Sequence, residues 1–182
     1  MLIPDPLRAG AAIAVVAPAS FVDRDLIEEG LRMVETWGFA VRRGRSLYGR
    51  AGQFAGTDEQ RLDDLQWALD NREVRAILMA RGGYGISRLI DRLDFTAFFC
   101  YLKLLVGFSD ITAIHAHVHN LNIASIHGPM PGYYARPDAL PYVEGLREML
   151  SGNYRPTVVA AREANRTGQS RGLLVGGNLS IF

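Results

Sequence analysis

Short apolar runs rich in β-branched residues alternate along the chain with segments whose apolar residues recur every three or four positions. The first run, Ala12 to Ala17, ends at Pro18-Ala19-Ser20. Helical spacing follows from Asp23 to Trp37, with Ile27, Leu31 and Val34 on one face and Gly38 as the stop. A second strand is predicted over Phe39 to Arg42, and the glycine-rich stretch from Gly44 to Gly56 reads as an exposed loop. Thr57-Asp58-Glu59-Gln60 has the spacing of a capping box, opening a helix whose buried stripe is Leu62, Leu65 and Leu69. The third strand, Ala76 to Ala80, runs into Arg81-Gly82-Gly83-Tyr84-Gly85, and a helix is predicted through Leu89 and Ile90. Leu104-Leu105-Val106 is a fourth strand, ending in Gly107-Phe108-Ser109-Asp110-Ile111-Thr112 before a helical pattern from Ala113 to His119. A short strand from Ile123 to Ile126 leads to His127-Gly128-Pro129-Met130, and a last helix spans Asp138 to Leu150. Strands alternating with helices in this way predict an α/β fold, a mainly parallel flavodoxin- or Rossmann-like sheet with helices on both faces.

Composition sharpens this outline at its end. Residues 1–150 read as one α/β domain, whereas residues 154–171 are polar, with Arg162, Arg166 and Arg171 spread through them, and read as a linker (151–171). From Gly172 to Phe182 the text is apolar again, a strand and a tight turn, so 172–182 is expected to begin a C-terminal domain that is otherwise missing. With 182 residues, 48% of them hydrophobic, the chain is too apolar to be disordered and suits one domain plus the start of a second. Its 20 basic and 19 acidic residues nearly cancel, so no global field directs it to nucleic acid or to a membrane surface. The run from Ala11 to Ala17 is far short of the ~20 apolar residues that span a bilayer, and the N-terminus has no secretory pattern. Cys100, the single cysteine, lies in Phe98-Phe99-Cys100-Tyr101 and reads as a buried thiol in a reducing compartment, which points to the cytoplasm.

Ligands of open α/β sheets bind at the carboxyl ends of the strands, and two strand-to-helix turns here carry unusual residues. Gly107-Phe108-Ser109 matches the first part of the nucleophile-elbow pattern G-x-S-x-G, with Ile111 where the second glycine would stand. An elbow lifts the serine oxygen above the sheet, and the helix start behind it offers N–H groups and a positive dipole end to an oxyanion. The competing role for Ser109 is an N-cap, with Asp110 well placed in the first turn, and spacing alone leaves both open. The glycines of Arg81-Gly82-Gly83-Tyr84-Gly85 let backbone approach a ligand and present N–H groups to a phosphate or an acyl oxyanion. Dinucleotide binding is disfavoured. Arg42, Arg43 and Arg45 could receive a 2′-phosphate, but the loop after the first strand has no glycine and G-G-Y-G lacks the G-x-G-x-x-G spacing. On a helix only His115 and His119 share a face, and Asp110 is poorly aligned to help them, so no metal is expected and solvated or capping histidines are favoured. His127, at a strand end on the side of Ser109, is a candidate base for which a structural role is favoured.

Pro18-Ala19-Ser20, Gly56-Thr57-Asp58, Arg81-Gly82-Gly83-Tyr84-Gly85, Gly107-Phe108-Ser109-Asp110-Ile111-Thr112, His127-Gly128-Pro129-Met130 and Gly176-Gly177-Asn178-Leu179 occur in the order seen in the LD-carboxypeptidase family of serine peptidases. The chain resembles that family, which also includes microcin C self-immunity proteins, over nearly its whole length. The resemblance implies cleavage, without a cofactor or metal, of the amide between a dibasic L-centre and a terminal D-alanine in murein peptides during cytoplasmic cell-wall recycling. It implies Ser109 as nucleophile, the N–H groups of Asp110 and Gly83 as the oxyanion hole, and substrate contacts from Gly82 and Tyr84. Tyr84 resembles the murein-peptidase form of its loop. The alternatives are a peptide-nucleotide substrate of the microcin type, or a non-catalytic module that captures a peptide carboxylate or other anion. The family's charge-relay glutamate and histidine lie beyond the GGNL motif and match no position here, so these 182 residues are expected to be inactive by themselves. Dimerisation is usual in the family, and a homodimer is expected.

Overall fold

Three of the apolar runs are buried on both faces, as a parallel sheet covered by helices requires. In the computed structural model, which describes residues 1–156 and 158–181, they are β1 (Ala12–Val16), β3 (Val74–Met79) and β4 (Leu104–Gly107). With the polar edge strand β2 (Ala40–Arg43) and the two-residue β5 (Ile126–His127) they form one sheet in the order β2-β1-β3-β4-β5, every pair parallel. Alternate residues of β1 face opposite layers. Ile13 and Val15 join the cluster made by α1 (Arg24–Thr36) and α5 (Leu140–Leu150), whereas Ala14 and Val16 join that of α2 (Asp58–Asp70), α3 (Thr96–Cys100) and α4 (Thr112–Asn120). The expected α/β sheet with helices on both faces is therefore present, and its 2-1-3-4-5 order is the flavodoxin-like one, whose topological switch point lies between β1 and β3.

Caps explain where the two long N-terminal helices begin. Asp23 Oδ1 accepts from the N–H groups of Asp25 (3.0 Å) and Leu26 (3.2 Å). Thr57 and Gln60 form both reciprocal bonds of the capping box. The C-terminal end of α2 is closed differently: the buried Lys103 donates Nζ to the carbonyls of Ala68 (3.1 Å) and Asn71 (2.6 Å), placing a cation at the negative end of the helix dipole. Burial lowers the Lys103 pKa to about 8, which still leaves the ammonium charged at neutral pH.

Several expectations are corrected by packing. The stripe of α2 is Arg61, Asp64, Leu65, Ala68 and Leu69, with Leu62 only half-buried. The 44–56 loop is anchored rather than exposed, because Leu47 and Ala55 are buried and the buried Asp64 carboxylate accepts from the N–H groups of Arg45 (2.9 Å) and Ser46 (2.8 Å). The helix expected through Leu89 and Ile90 is two single 3-10 turns, Ile86–Arg88 and Ile90–Arg92, closed by i to i+3 bonds. Only Ile126 of the strand expected from Ile123 to Ile126 joins the sheet, while Ile123 makes an isolated bridge to Leu2. Cys100 is exposed, since the short α3 buries Phe98 and turns the residue two places on outward. Residues 172–181 are exposed and carry no strand, for no neighbouring strand pairs with them; Phe182 and, in the linker, Thr157 lie outside the described residues. Among the described residues no helix is long and apolar enough to cross a membrane.

The layer of α1 depends on one close approach, tested by a pair of substitutions. A Cβ on Gly30 would lie 2.1 Å from the carbonyl oxygen of Pro131, a backbone atom that cannot swing aside, whereas a Cβ on Gly145 in α5 meets nothing within 4 Å. Gly30→Ala is expected to destabilise by about 2 kcal/mol or more, lowering Tm by roughly 4–8 °C. Gly145→Ala is expected to raise stability by ~0.5–1 kcal/mol, and thermal denaturation of both variants checks the contrast.

Candidate active site

Loops leaving neighbouring parallel strands at the same end are crowded together, and here three of them, after β1, β3 and β4, are locked into one another. The N–H of Ser20 donates to the carbonyl of Gly82 at 3.2 Å. Gly82 lies against the β4 turn so closely that a Cβ there would stand 2.8 Å from Ser109 Cβ and 3.0 Å from the Phe108 carbonyl oxygen. Gly83, at φ +110°, leaves room for the Ser20 hydroxyl, which would be 2.0 Å from any Cβ. In a planar trans peptide the N–H points opposite to the C=O, so the Gly82 carbonyl held by Ser20 turns the Gly83 N–H away from the Pro18–Ser20 turn.

Ser109 has φ +63°, the left-handed region that non-glycine residues rarely adopt. It makes no capping hydrogen bond. The extended Phe108 stands in the cap position of the 3-10 turn Ser109–Ile111, which runs directly into α4. The backbone thus has the sharp strand-to-helix turn of an elbow, and a capping serine does not describe it. Asp110, next in sequence, is buried, and its Oδ2 accepts from the Ile86 N–H at 2.9 Å, tying the elbow to the far end of the glycine loop. Burial pushes the Asp110 carboxyl above the ordinary carboxylate range, and the Ile86 N–H opposes that rise.

Arg61 appears in none of the sequence expectations, yet it joins the loops after β1 and β3. Its buried guanidinium donates Nη1 to the carbonyls of Pro18 and Gly85 and Nη2 to Asp58, and lies 4.7 Å above the Phe54 ring. Asp58 also takes the Arg88 guanidinium, at 2.8 Å from Nε. Stepping back four residues from Leu65 on the α2 stripe reaches Arg61, which is the signal that could have found it. Tyr84 is exposed at the tip of the glycine loop, its ring 6.0 Å from that of Phe54.

The histidines sort by burial. His115, expected to be solvated or capping, is buried, with Nε2 2.9 Å from the Gly107 carbonyl and Nδ1 2.8 Å from Ser125 Oγ. A carbonyl only accepts, so Nε2 carries the proton and, in the neutral ring, Nδ1 accepts from the Ser125 hydroxyl. Burial pushes this imidazole below its ordinary pKa. With both nitrogens engaged, His115 rivets α4 to the end of β4 and has no lone pair for Ser109. His127 is exposed at the end of β5, its ring 6.3 Å from that of Phe108. His117 packs on Phe95. No group of three or more His, Cys, Asp or Glu that could hold a metal occurs among the described residues. From the far end of the chain, the Asn178 N–H donates to Thr112 Oγ1 at 3.0 Å, bringing the GGNL turn to the start of α4.

The His115 environment has a pH signature. Because its folded pKa lies below the ordinary 6.5, the unfolded chain binds more protons, so the stability it contributes is present above about pH 6.5 and is lost as pH falls. Asp64 and Asp110, raised by burial, act in the opposite sense. The His115 share is therefore read as a difference: urea midpoints of the parent are expected to fall more steeply from pH 7 to about 5 than those of His115→Gln.

A family profile described as the LD-carboxypeptidase N-terminal domain matches residues 13–128. The chain is 33% identical over 184 residues to the probable murein peptide carboxypeptidase of Bacillus subtilis, an alignment covering 98% of this chain and 58% of the relative. It is 38% identical over 119 residues to the murein tetrapeptide carboxypeptidase of Pseudomonas aeruginosa, covering 65% of this chain and 39% of the relative. Among solved structures, the microcin C7 self-immunity protein MccF, known from Escherichia coli, in complex with aspartyl sulfamoyl adenosine superposes with a TM-score of 0.77 at 20% identity, over 83% of this chain and 47% of that one. The last likeness is one of fold, and the chain spans 39–58% of the length of the two curated relatives. Residues 13–128 carry the elbow, the glycine loop and the sheet that joins them, and the chain belongs to the LD-carboxypeptidase family.

Proposed function

We propose that the chain supplies the nucleophile and oxyanion hole of a cytoplasmic serine carboxypeptidase that hydrolyses the L,D-amide before a terminal D-alanine in murein peptides. The observation that carries this reading is the left-handed Ser109 at the carboxyl end of β4 with the glycine loop pressed against it. Ser109 Oγ attacks the scissile carbonyl, and the oxyanion is received by the N–H groups of Asp110 and Gly83. The hydroxyl proton passes to a base and then to the departing amine of D-alanine, and water releases the acyl group from Ser109. Gly82 leaves the space in which the carbonyl sits, and Tyr84 borders the entrance.

The base comes from outside these residues. His115 is neutral with both nitrogens committed, and the Asp110 carboxylate is turned to the Ile86 N–H. In this reading residues 151–171 are a connection, and the GGNL turn docked on Thr112 leads into a C-terminal domain that brings the glutamate and histidine. Peptide-nucleotides of the microcin type are the alternative substrate class.

The test fuses this chain, through its GGNL turn, to the C-terminal part of the Bacillus subtilis relative and measures D-alanine released from murein tetrapeptide. The 182-residue chain alone is expected to give no release above background, and the fusion to give clear turnover. Ser109→Ala in the fusion is expected to remove at least about 10⁴-fold of the rate. Gly82→Ala, whose Cβ would press on Ser109 Cβ and the Phe108 carbonyl, is expected to cost ~10²-fold in rate and to destabilise by ~1–3 kcal/mol. Turnover that survives Ser109→Ala, or a fusion that cleaves peptide-nucleotides and leaves the tetrapeptide intact, overturns the assignment.

A further inference from the structure

A carboxypeptidase has to read the free carboxylate of the residue it removes, and a guanidinium is well suited to that task. Resting on the function proposed above, we infer that Arg81 is that cation, and that the cleft it borders receives the leaving terminal residue. Arg81 immediately precedes Gly82, the residue pressed against Ser109. The cleft, about 270 Å³, is walled by Arg81, Asp23 and Arg136 over an apolar floor that includes Val22, Ala80 and Tyr133. Tyr133 and Arg136 also line the neighbouring depression at Phe108 and His127, so the two hollows share a wall, and Phe108 in the second immediately precedes Ser109.

The charges in the cleft distinguish Arg81 from its neighbours. Asp23 Oδ1 is engaged by the N–H groups of Asp25 and Leu26. Arg136 is paired with Asp138 through Nε and Nη2, both at 3.2 Å. Arg81 has no carboxylate partner among the described residues. Its Nη1 donates to the Phe21 carbonyl at 2.9 Å, which anchors the guanidinium of a residue that is exposed overall. A second guanidinium without a carboxylate partner among the described residues, that of Arg50, lies 4.0 Å from the centroid of the same Phe21 ring over which Arg81 lies at 5.7 Å. Two cations thus share one aromatic ring, neither in a salt bridge among the described residues, an arrangement that a ligand carboxylate can join. The apolar floor beside them suits a small side chain such as the methyl of alanine.

The experiment is a nuclear magnetic resonance titration of the 182-residue chain with murein tetrapeptide ending in D-alanine as the free acid or as the amide. The acid is expected to bind at least about tenfold more tightly than the amide, with the largest shifts at the amides of residues 81–83. In Arg81→Gln the acid is expected to weaken to the level of the amide while the amide is unaffected, and Arg81→Lys restores part of the preference. A well-dispersed spectrum of each variant establishes that it is folded. Equal binding of acid and amide by the parent, a preference that persists in Arg81→Gln, or no binding of either peptide overturns the inference. The first two results leave the Ser109 assignment standing, because that is decided by D-alanine release in the fusion.

Discussion

The close approach of Gly82 to Ser109 is the constraint on which the mouth of the sheet depends. Neighbouring parallel strands run roughly 5 Å apart, so two loops that leave β3 and β4 at the same end compete for one space. The competition is resolved by removing side chains on the β3 side and by folding the β4 side into a left-handed turn. A left-handed serine costs on the order of 1–3 kcal/mol, and it persists only where its surroundings leave no alternative. Bonds on both sides supply that restriction here. The Gly107 carbonyl takes His115 Nε2 and the Gly128 N–H before the turn, and the Asp110 carboxyl takes the Ile86 N–H after it.

Buried charge fixes the other side of the same junction. Arg61 is fully buried and reaches the loops after β1 and β3 with one nitrogen, so their separation is set by the span of a single guanidinium. A charge in such a position is tolerated because Asp58 and two carbonyls surround it, and removing one partner of a buried pair commonly costs ~3–5 kcal/mol. Arg61 also stabilises the ionised form of Asp110. Two polar groups that contribute no chemistry in the proposed reaction thus hold the two halves of the site at a common distance. The exposed pairs elsewhere, such as Arg147 with Glu144, contribute little by comparison.

The sheet was legible in the text because burial on both faces leaves continuous apolar runs, and α1 and α2 because their caps use side chains of fixed chemistry at fixed spacing. Ser109 and Gly82 were legible as motif residues, although only φ +63° separates an elbow from a cap. What escaped was polar burial. Arg61, Asp64, Lys103 and His115 look like surface residues in a composition count, and each is buried because a distant backbone group needs its hydrogen bond. The side-chain role of Asp110 was hidden for the same reason: its partner, Ile86, is 24 residues away. Cys100 failed in the opposite sense, since an apolar neighbourhood in sequence says nothing about which side of a five-residue helix turns inward.

The division of labour that follows from the proposed reaction has a physical basis. Oxyanion donors and a nucleophile must be held to within about half an ångström, a precision that backbone at the ends of paired strands provides and a mobile segment does not. A general base needs only to reach one oxygen, and it can arrive on a separate element without disturbing the sheet. His115 shows what burial beside the elbow does to an imidazole: both of its nitrogens are taken, by the Gly107 carbonyl and the Ser125 hydroxyl. On that reading the elbow holds its shape through bonds within residues 13–128, and the base acts on a serine that is already in place.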